Sequence, residues 1–169
     1  MKVLSVIQPW ASLIVLGRKH FETRSFPTHY RGELAIHASK GFPRDCKLIT
    51  HREPYARLLD DVSILPLGAV LGIVRLIGVT EIASGGRTTA EKIGAVDEVA
   101  VLAIAEDEAD LNRVRVNSRA AVTFAITRDE HGVGDFSPYR YAWELEVVER
   151  FEKPIPAKGN RGLWDWSRP

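Results

Sequence analysis

Three side chains that could bind an anion or move a proton lie close together in the sequence: Lys19, Glu22 and Arg24. A neighbouring arginine and shielding from water would lower the pKa of the lysine, whereas the carboxylate favours its protonated form. We therefore expect Lys19 to stay charged and to bind an anion or polarise a carbonyl. Glu22 is the better proton acceptor, and Arg24 would hold a developing oxyanion. In the alternative, Arg18 and Lys19 only lie against the negative end of the preceding helix.

A second group of candidates follows a predicted strand over residues 33–38. His37 could hydrogen-bond a base edge, and Ser39 and Lys40 could contact phosphate. A partly buried structural histidine is the alternative for His37.

Two arginines in turns and one tryptophan complete the candidate binding residues. Arg31, in the turn Tyr30–Gly32, and Arg161, in the tail, are predicted phosphate contacts, with surface turns as the alternative. Trp10 has the helical spacing of a core residue, but it could instead form the wall of a base pocket. Trp164 is expected to close one end of the fold, and it could instead line the cleft.

The sequence offers no pattern for a metal or a cofactor. Its five histidines form no H-x₃-H pair, and its one cysteine, Cys46, cannot form an internal disulfide or a four-cysteine zinc site. We therefore expect no metal, no cofactor and a reducing cytoplasm. No apolar run is long enough to span a membrane, and the first residues are typical of a strand rather than a signal peptide. Nothing in the sequence predicts the oligomeric state.

The net charge of +1 conceals an uneven distribution. Residues 1–60 carry 10 Lys and Arg against 5 Asp and Glu, residues 61–112 carry 3 against 9, and residues 113–169 carry 10 against 8. The three parts therefore have net charges of +5, −6 and +2. A basic first third could attract a polyanion such as a nucleic acid, and ordinary surface pairing is the alternative.

Hydrophobic periodicity predicts a chain rich in strands. Strands are expected over 2–7, 21–26, 33–38, 68–82, 119–127 and 139–151, with a first helix that ends at Gly17. Asp45 is the expected cap of a second helix, and residues 131–134 are expected to form a loop. Gly72 and Gly78 in the long strand indicate bending or a close backbone approach. The pattern predicts an α+β fold, a small β-barrel with flanking helices, as one domain over residues 1–169. An acidic insertion with some helix is expected at about 84–118.

Three segments carry a family resemblance: QPWASLIVLGRKHFETRSF at 8–26, YRGELAIHASK at 30–40 and YAWELEVVERFEKPIPAKGNRGLWDW at 141–166. Together they resemble an ASCH domain, a group with the PUA-like mixed β-barrel fold. The core of the signature is Gly17-x-Lys19-x-x-Glu22-x-Arg24, followed by Arg31-Gly32 and the segment Ile36–Ser39. The resemblance covers about two-thirds of the chain and leaves out the acidic segment.

The resemblance implies an RNA-related role, with nucleic acid bound in a cleft beside the barrel. One branch of the family removes an acyl group from N4-acetylcytidine with a lysine, a threonine and a glutamate. The lysine matches Lys19, but Glu22 stands where that branch has its threonine, and Thr23 is expected to face the other side of the strand. Glu81 is only a candidate for the glutamate.

Three functions follow from these observations. The favoured one is binding of single-stranded RNA, a nucleotide or a modified nucleoside in a basic cleft, with an aromatic ring against the base. The alternative is a small hydrolase, an amidohydrolase on N4-acylated cytidine or a ribonuclease, that uses Lys19, Glu22 and Arg24. A third is a protein-interaction domain whose acidic segment, residues 91–110, docks a basic partner.

Overall fold

A computed structural model of the chain describes residues 1–82, 98–106 and 123–169. It has eight strands and four short helices in these ranges. The strands are β1 (Lys2–Val6), β2 (Phe21–Arg24), β3 (Gly32–Ala38), β4 (Ala69–Ile82), β5 (Glu98–Ala105), β6 (Thr123–Thr127), β7 (Tyr141–Pro156) and β8 (Leu163–Asp165). The helices are α1 (Trp10–Val15), α2 (Arg44–Ile49), α3 (Tyr55–Leu58) and α4 (Arg128–Gly132). This mixture confirms the α+β class and is consistent with a PUA-like barrel.

The chain divides into two compact units, which are described separately. The first contains residues 1–20, 32–76 and 145–169, and the second contains residues 21–31 and 77–144. The long strands β4 and β7 contribute residues to both units. One domain over the whole chain stays a prediction, and most of the proposed insertion at 84–118 lies outside the described residues.

In the first unit the strands follow the order β7-β4-β3-β1-β8. Strand β1 pairs parallel to β3, with Ser5 opposite His37, and antiparallel to β8, with Val3 opposite Trp164. Strands β3 and β4 pair antiparallel, and their register shifts between Ile36 and His37. A shift of this kind, a β-bulge, re-aims the side chains that follow it. The core of the unit includes Val3, Ala35, Val70, Ile73 and Phe151.

Helix α1 ends as its sequence predicts. Gly17 has a φ of 66°, the left-handed conformation that glycine adopts without strain. The amide of Gly17 donates to the carbonyl of Ile14, and the amide of Arg18 donates to that of Leu13. These two bonds form a Schellman motif, which satisfies carbonyls at the end of the helix.

A buried glutamine, Gln8, anchors the start of helix α1. The Nε2 atom of Gln8 donates to Ser12 Oγ and to the carbonyl of Pro66, each at 2.8 Å. Its Oε1 atom accepts from the amide of Ser12 at 3.1 Å. Gln8 is fully buried, so these three bonds satisfy a polar group that would otherwise be costly to remove from water.

In the second unit the strands follow the order β2-β7-β4-β5-β6. Strands β2 and β7 are antiparallel, whereas β5 is parallel to both β4 and β6. The core of this unit includes Phe21, Ile82, Ile126, Phe136 and Ala142.

Three local predictions are corrected by the structure. The cap residue of α2 is Pro43, and Asp45 lies inside the first turn, where its carboxylate still favours the helix dipole. Residues 131–132 belong to helix α4 rather than a loop, because Thr127 Oγ1 accepts from the amide of Glu130 and caps the helix. Residues 98–105 of the acidic segment form strand β5, where no strand was predicted, and this strand pairs in parallel with β4 and β6.

Candidate nucleic-acid interface

A cleft of about 900 Å³ opens in the first unit at the end of strand β3. Its walls come from the ends of β3 and β7, the start of β4 and the loop between β7 and β8. The lining residues are Ser5, His37, Ser39, Lys40, Leu67, Gly68, Pro156, Ala157, Lys158, Gly159, Asn160 and Arg161. The cleft therefore joins two predicted segments, His37–Lys40 and the tail around Arg161, that are far apart in the sequence.

The charged side chains of the cleft are all positive. Lys40, Lys158 and Arg161 line it and are exposed, and the lining contains no aspartate or glutamate. None of the three forms an ion pair with any residue in the described ranges. Lys2 and Arg150 of the same unit differ, since Lys2 pairs with Asp165 and Arg150 pairs with Asp60. The cleft is therefore a local positive field available to an anion.

His37 lies in the wall of the cleft, 2% exposed, and both of its ring nitrogens are occupied. Nε2 lies 3.1 Å from the carbonyl oxygen of Ala157, which can only accept, so Nε2 carries the hydrogen. Nδ1 is then the acceptor for the hydroxyl of Ser5 at 3.2 Å. Burial lowers the pKa of His37, and the hydrogen bond to Ala157 offsets part of that effect. The geometry therefore favours a neutral histidine with its hydrogen on Nε2.

Trp164 extends this set of hydrogen bonds to strand β8. Its Nε1 atom donates to Ser5 Oγ at 3.1 Å, and its ring packs edge-on against the His37 ring with centroids 5.7 Å apart. The side chains of Trp164, Ser5 and His37 thus form a chain of hydrogen bonds that ends at the backbone of Ala157. This chain ties the wall of the cleft to strands β1, β3 and β8.

The loop over residues 157–161 carries two of the three cations and is held at its first residue. The amide of Ala157 donates to the carbonyl of Gly68 at 3.0 Å, while the Ala157 carbonyl accepts from His37. Gly159 passes so close to the histidine that a methyl group there would lie 2.3 Å from His37 Cε1 and 3.1 Å from Ser5 Oγ. Only glycine fits this approach without a shift of the loop or the ring.

Glu22 and Arg24 pair within the second unit. Arg24 Nη2 lies 3.2 Å from Glu22 Oε1, and the two side chains are 25% and 12% exposed, in that order. Strand β2 positions them opposite Trp143 and Tyr141 of β7. Trp143 is fully buried, as its strand alternation predicts.

Lys19 belongs to the first unit, and its residue is 2% exposed. Its amide donates to the carbonyl of Leu13 at 3.1 Å, so the turn after helix α1 fixes its backbone. Arg18, its neighbour, is exposed. The proposed catalytic roles of Lys19, Glu22 and Arg24 stay predictions.

Two further candidates have structural partners elsewhere. Arg31, in the second unit, donates through Nη1 to the carbonyls of Thr28 and Tyr30 at 2.9 and 2.8 Å. Trp10 is half-buried, and its ring packs edge-on against that of Tyr55 with centroids 6.3 Å apart. Neither residue lines the cleft described above.

Sequence reasoning did not single out Ser5, Lys158 or Gly159. Ser5 stands in an apolar strand and has no charge or motif that would mark it. The segment Lys158–Gly162, KGNRG, did carry a signal, because two cations next to glycines are typical of a loop that contacts phosphate. That signal is local, and only the fold shows which strand end it faces.

In the described ranges, no group of three His, Cys, Asp or Glu side chains is placed to hold a metal ion. Cys46 is half-buried, and burial, together with Asp45, raises the pKa of its thiol. A raised pKa disfavours the reactive thiolate. None of the described helices is both long and apolar enough to cross a bilayer.

The fold defines the class of the protein, a mixed α+β fold consistent with a PUA-like barrel. The family model of the ASCH domain matches residues 4–155, so the chain belongs to the ASCH domain family. This confirms the resemblance seen in the sequence, and the family is associated with RNA-related roles.

The chain is also similar to Activating signal cointegrator 1 of Homo sapiens. The two are 41% identical over 78 residues, which cover 44% of this chain and 13% of the human protein. The match therefore spans a small part of the length of that relative.

Proposed function

We propose that this protein binds RNA or a nucleotide in the cleft lined by Lys40, Lys158 and Arg161. The observation that carries the proposal is the set of three exposed cations around one cleft with no carboxylate among its lining residues. Phosphate groups are the anions that such a set suits best, because lysine and arginine supply most protein contacts to nucleic-acid backbones. Membership of the ASCH family supports RNA as the polyanion.

The neutral lining residues suit the same ligand. Ser39 and Asn160 add hydrogen-bonding side chains next to the cations. The His37 bonds hold the wall in place before a ligand arrives, and a site organised in advance binds at a smaller entropic cost. The reducing cytoplasm expected from the single cysteine is a setting in which such a role would operate.

Fluorescence anisotropy with a labelled single-stranded RNA tests the proposal. For a single strand, three phosphate contacts give a slope of about −2 when the logarithm of the association constant is plotted against the logarithm of the salt concentration. The affinity should therefore fall about 20-fold between 50 and 200 mM salt. The triple variant K40A/K158A/R161A should bind far more weakly and lose most of this slope.

The matched control removes three cations of the same unit that already have acidic partners. Lys2 pairs with Asp165, Arg150 with Asp60, and Arg75 with two glutamates. The variant K2A/R75A/R150A has the same net charge as the cleft variant but should keep nearly the wild-type affinity. Equal losses in both triple variants would mean that total charge, and not the cleft, governs binding. The absence of binding in the wild-type protein would end the proposal.

The hydrolase remains a second candidate, supported by the sheltered Glu22–Arg24 pair and by the family resemblance. In this hypothesis Glu22 or Lys19 activates a water molecule and Arg24 stabilises the oxyanion. Incubation of the wild-type protein with N4-acetylcytidine and with RNA, followed by chromatography of the products, tests it. Turnover that disappears in E22Q and K19A, with the fold intact, would support a hydrolase. If the wild-type protein shows no turnover, the hydrolase is excluded and binding is the remaining proposed function. A docking role for residues 91–110 rests on a segment that lies largely outside the described residues.

A further inference from the structure

We infer that the cleft recognises the sugar–phosphate backbone of its ligand and not the bases. The inference rests on the proposed function and specifies what that site recognises. It starts from the side chains that line the cleft, because phosphate, sugar and base each call for a different kind of contact.

Recognition of a base in a single strand depends mainly on stacking. Unpaired bases usually stack on Phe, Tyr, Trp or His rings, or on the plane of an arginine. One such stacking contact contributes about 5- to 150-fold in affinity. The lining of the cleft contains no phenylalanine, tyrosine or tryptophan. Trp10, the aromatic candidate from the sequence, packs against Tyr55 instead.

His37 is the aromatic ring in the lining, and its contacts leave little room for a base. Its two nitrogens bond to Ser5 and Ala157, so neither is available for a base edge. The Trp164 ring packs edge-on against it, with an interplanar angle of 81°. The backbone of Gly159 approaches Cε1 so closely that even a methyl group would not fit between them. His37 is therefore a positioning residue for the wall of the cleft.

The remaining lining suits a backbone. Leu67, Pro156 and Ala157 provide aliphatic surface, and Ser39 and Asn160 can hydrogen-bond ribose hydroxyls. The three cations can each contact a phosphate. The volume, about 900 Å³, lies near the upper end of small-molecule pockets, so the cleft has room for more than a single phosphate group.

A competition experiment tests the inference. Unlabelled oligomers of three kinds compete with a labelled ten-nucleotide RNA for binding to the protein. The competitors are oligo(U), oligo(A) and an abasic ribose–phosphate oligomer of the same length, with free uridine as the phosphate-free probe. We expect the three oligomers to compete within about 3- to 5-fold of each other, which is less than the loss of one stacked base. Uridine should not compete at millimolar concentration.

The outcomes separate this inference from the proposed function. If the abasic oligomer competes more than about 5-fold more weakly than the other two, or if uridine displaces the labelled RNA, backbone recognition is overturned while RNA binding still stands. No binding of any labelled RNA would instead remove the proposed function. The variant R161K keeps the charge and removes the guanidinium plane, which tests the one other surface on which a base could stack. A preference for oligo(A) over the abasic oligomer that is present in the wild type and lost in R161K would likewise contradict the inference.

Discussion

The side chain of His37 holds the backbone of Ala157, 120 residues further along the chain, through a 3.1 Å hydrogen bond from Nε2 to the carbonyl oxygen. Lys158 follows Ala157 directly and Arg161 lies four residues after it in the same loop, so we expect the position of two cleft cations to depend on this bond. We therefore expect His37 to influence the ligand affinity of the cleft through the position of this loop.

Replacement of His37 should weaken both the fold and the cleft. In His37→Ala the bonds to Ser5 and Ala157 and the packing against Trp164 are lost, and we expect the free energy of unfolding to fall by about 2–4 kcal/mol. Urea denaturation measures this change. RNA affinity should fall as well, because the loop with Lys158 loses its anchor.

The variant His37→Gln provides the comparison, because its amide can still donate to Ala157. It should retain more RNA affinity than His37→Ala at a temperature where both are folded. Equal affinity in the wild type and both variants would show that the bond to Ala157 does not position the loop.

The pH dependence of stability should also report on His37. Burial lowers the pKa of His37 in the folded state below its ordinary value of 6.5, so between these two values the unfolded chain binds the additional proton. The stability from this residue is therefore fully present above pH 6.5 and is lost as pH falls through the folded-state pKa. Urea denaturation at pH 7.5 and at pH 5.5 should show a larger loss in the wild type than in His37→Gln. The difference between the two proteins isolates the effect of His37, because the other four histidines are the same in both.

Much of the fold could be predicted because its signals are local. Gly17 ends helix α1 with the Schellman bonds that its position suggests. Trp143 and Leu145 are buried as their alternation with Glu144 and Glu146 indicates, whereas residues 34–38 are buried on both faces of β3. Strand β5 was not predicted, because its alanine and leucine residues suit a helix as well as a strand, and its parallel pairing with β4 and β6 is a property of the tertiary structure.

The candidate site was predictable in part for the same reason. The segment His37–Lys40 and Arg161 were both identified by residue type, and the structure places them on one cleft. These two segments lie on the same cleft because of the strand order and the register that places Ser5 opposite His37. No local sequence pattern encodes that order or that register. The role of Ser5 as an acceptor from Trp164 and donor to His37 is a property of the tertiary structure alone.

Replacement of Gly72 tests whether the backbones of β4 and β7 approach as closely as the glycines of β4 predict. A methyl group at this position would lie 2.4 Å from the backbone oxygen of Glu149 and 3.2 Å from Arg150 Cα. Backbone atoms cannot move away cheaply, so Gly72→Ala should lower the free energy of unfolding by about 1–3 kcal/mol in urea denaturation. The RNA affinity of the folded protein should not change, because Gly72 does not line the cleft. A variant as stable as the wild type would show that strand β7 can shift.

Gly159 differs from Gly72 because its replacement should affect the cleft directly. In Gly159→Ala the new methyl group would lie 2.3 Å from His37 Cε1 and 2.7 Å from Nδ1, so the loop or the ring must move. We expect a loss of about 1–3 kcal/mol in the free energy of unfolding, together with weaker RNA binding in anisotropy titrations. Gly41→Ala is the matched control, since a methyl group there meets nothing within 4 Å and should leave stability and affinity nearly unchanged. If Gly159→Ala bound RNA as tightly as Gly41→Ala, the loop over residues 157–161 would not form the wall that binds the phosphates.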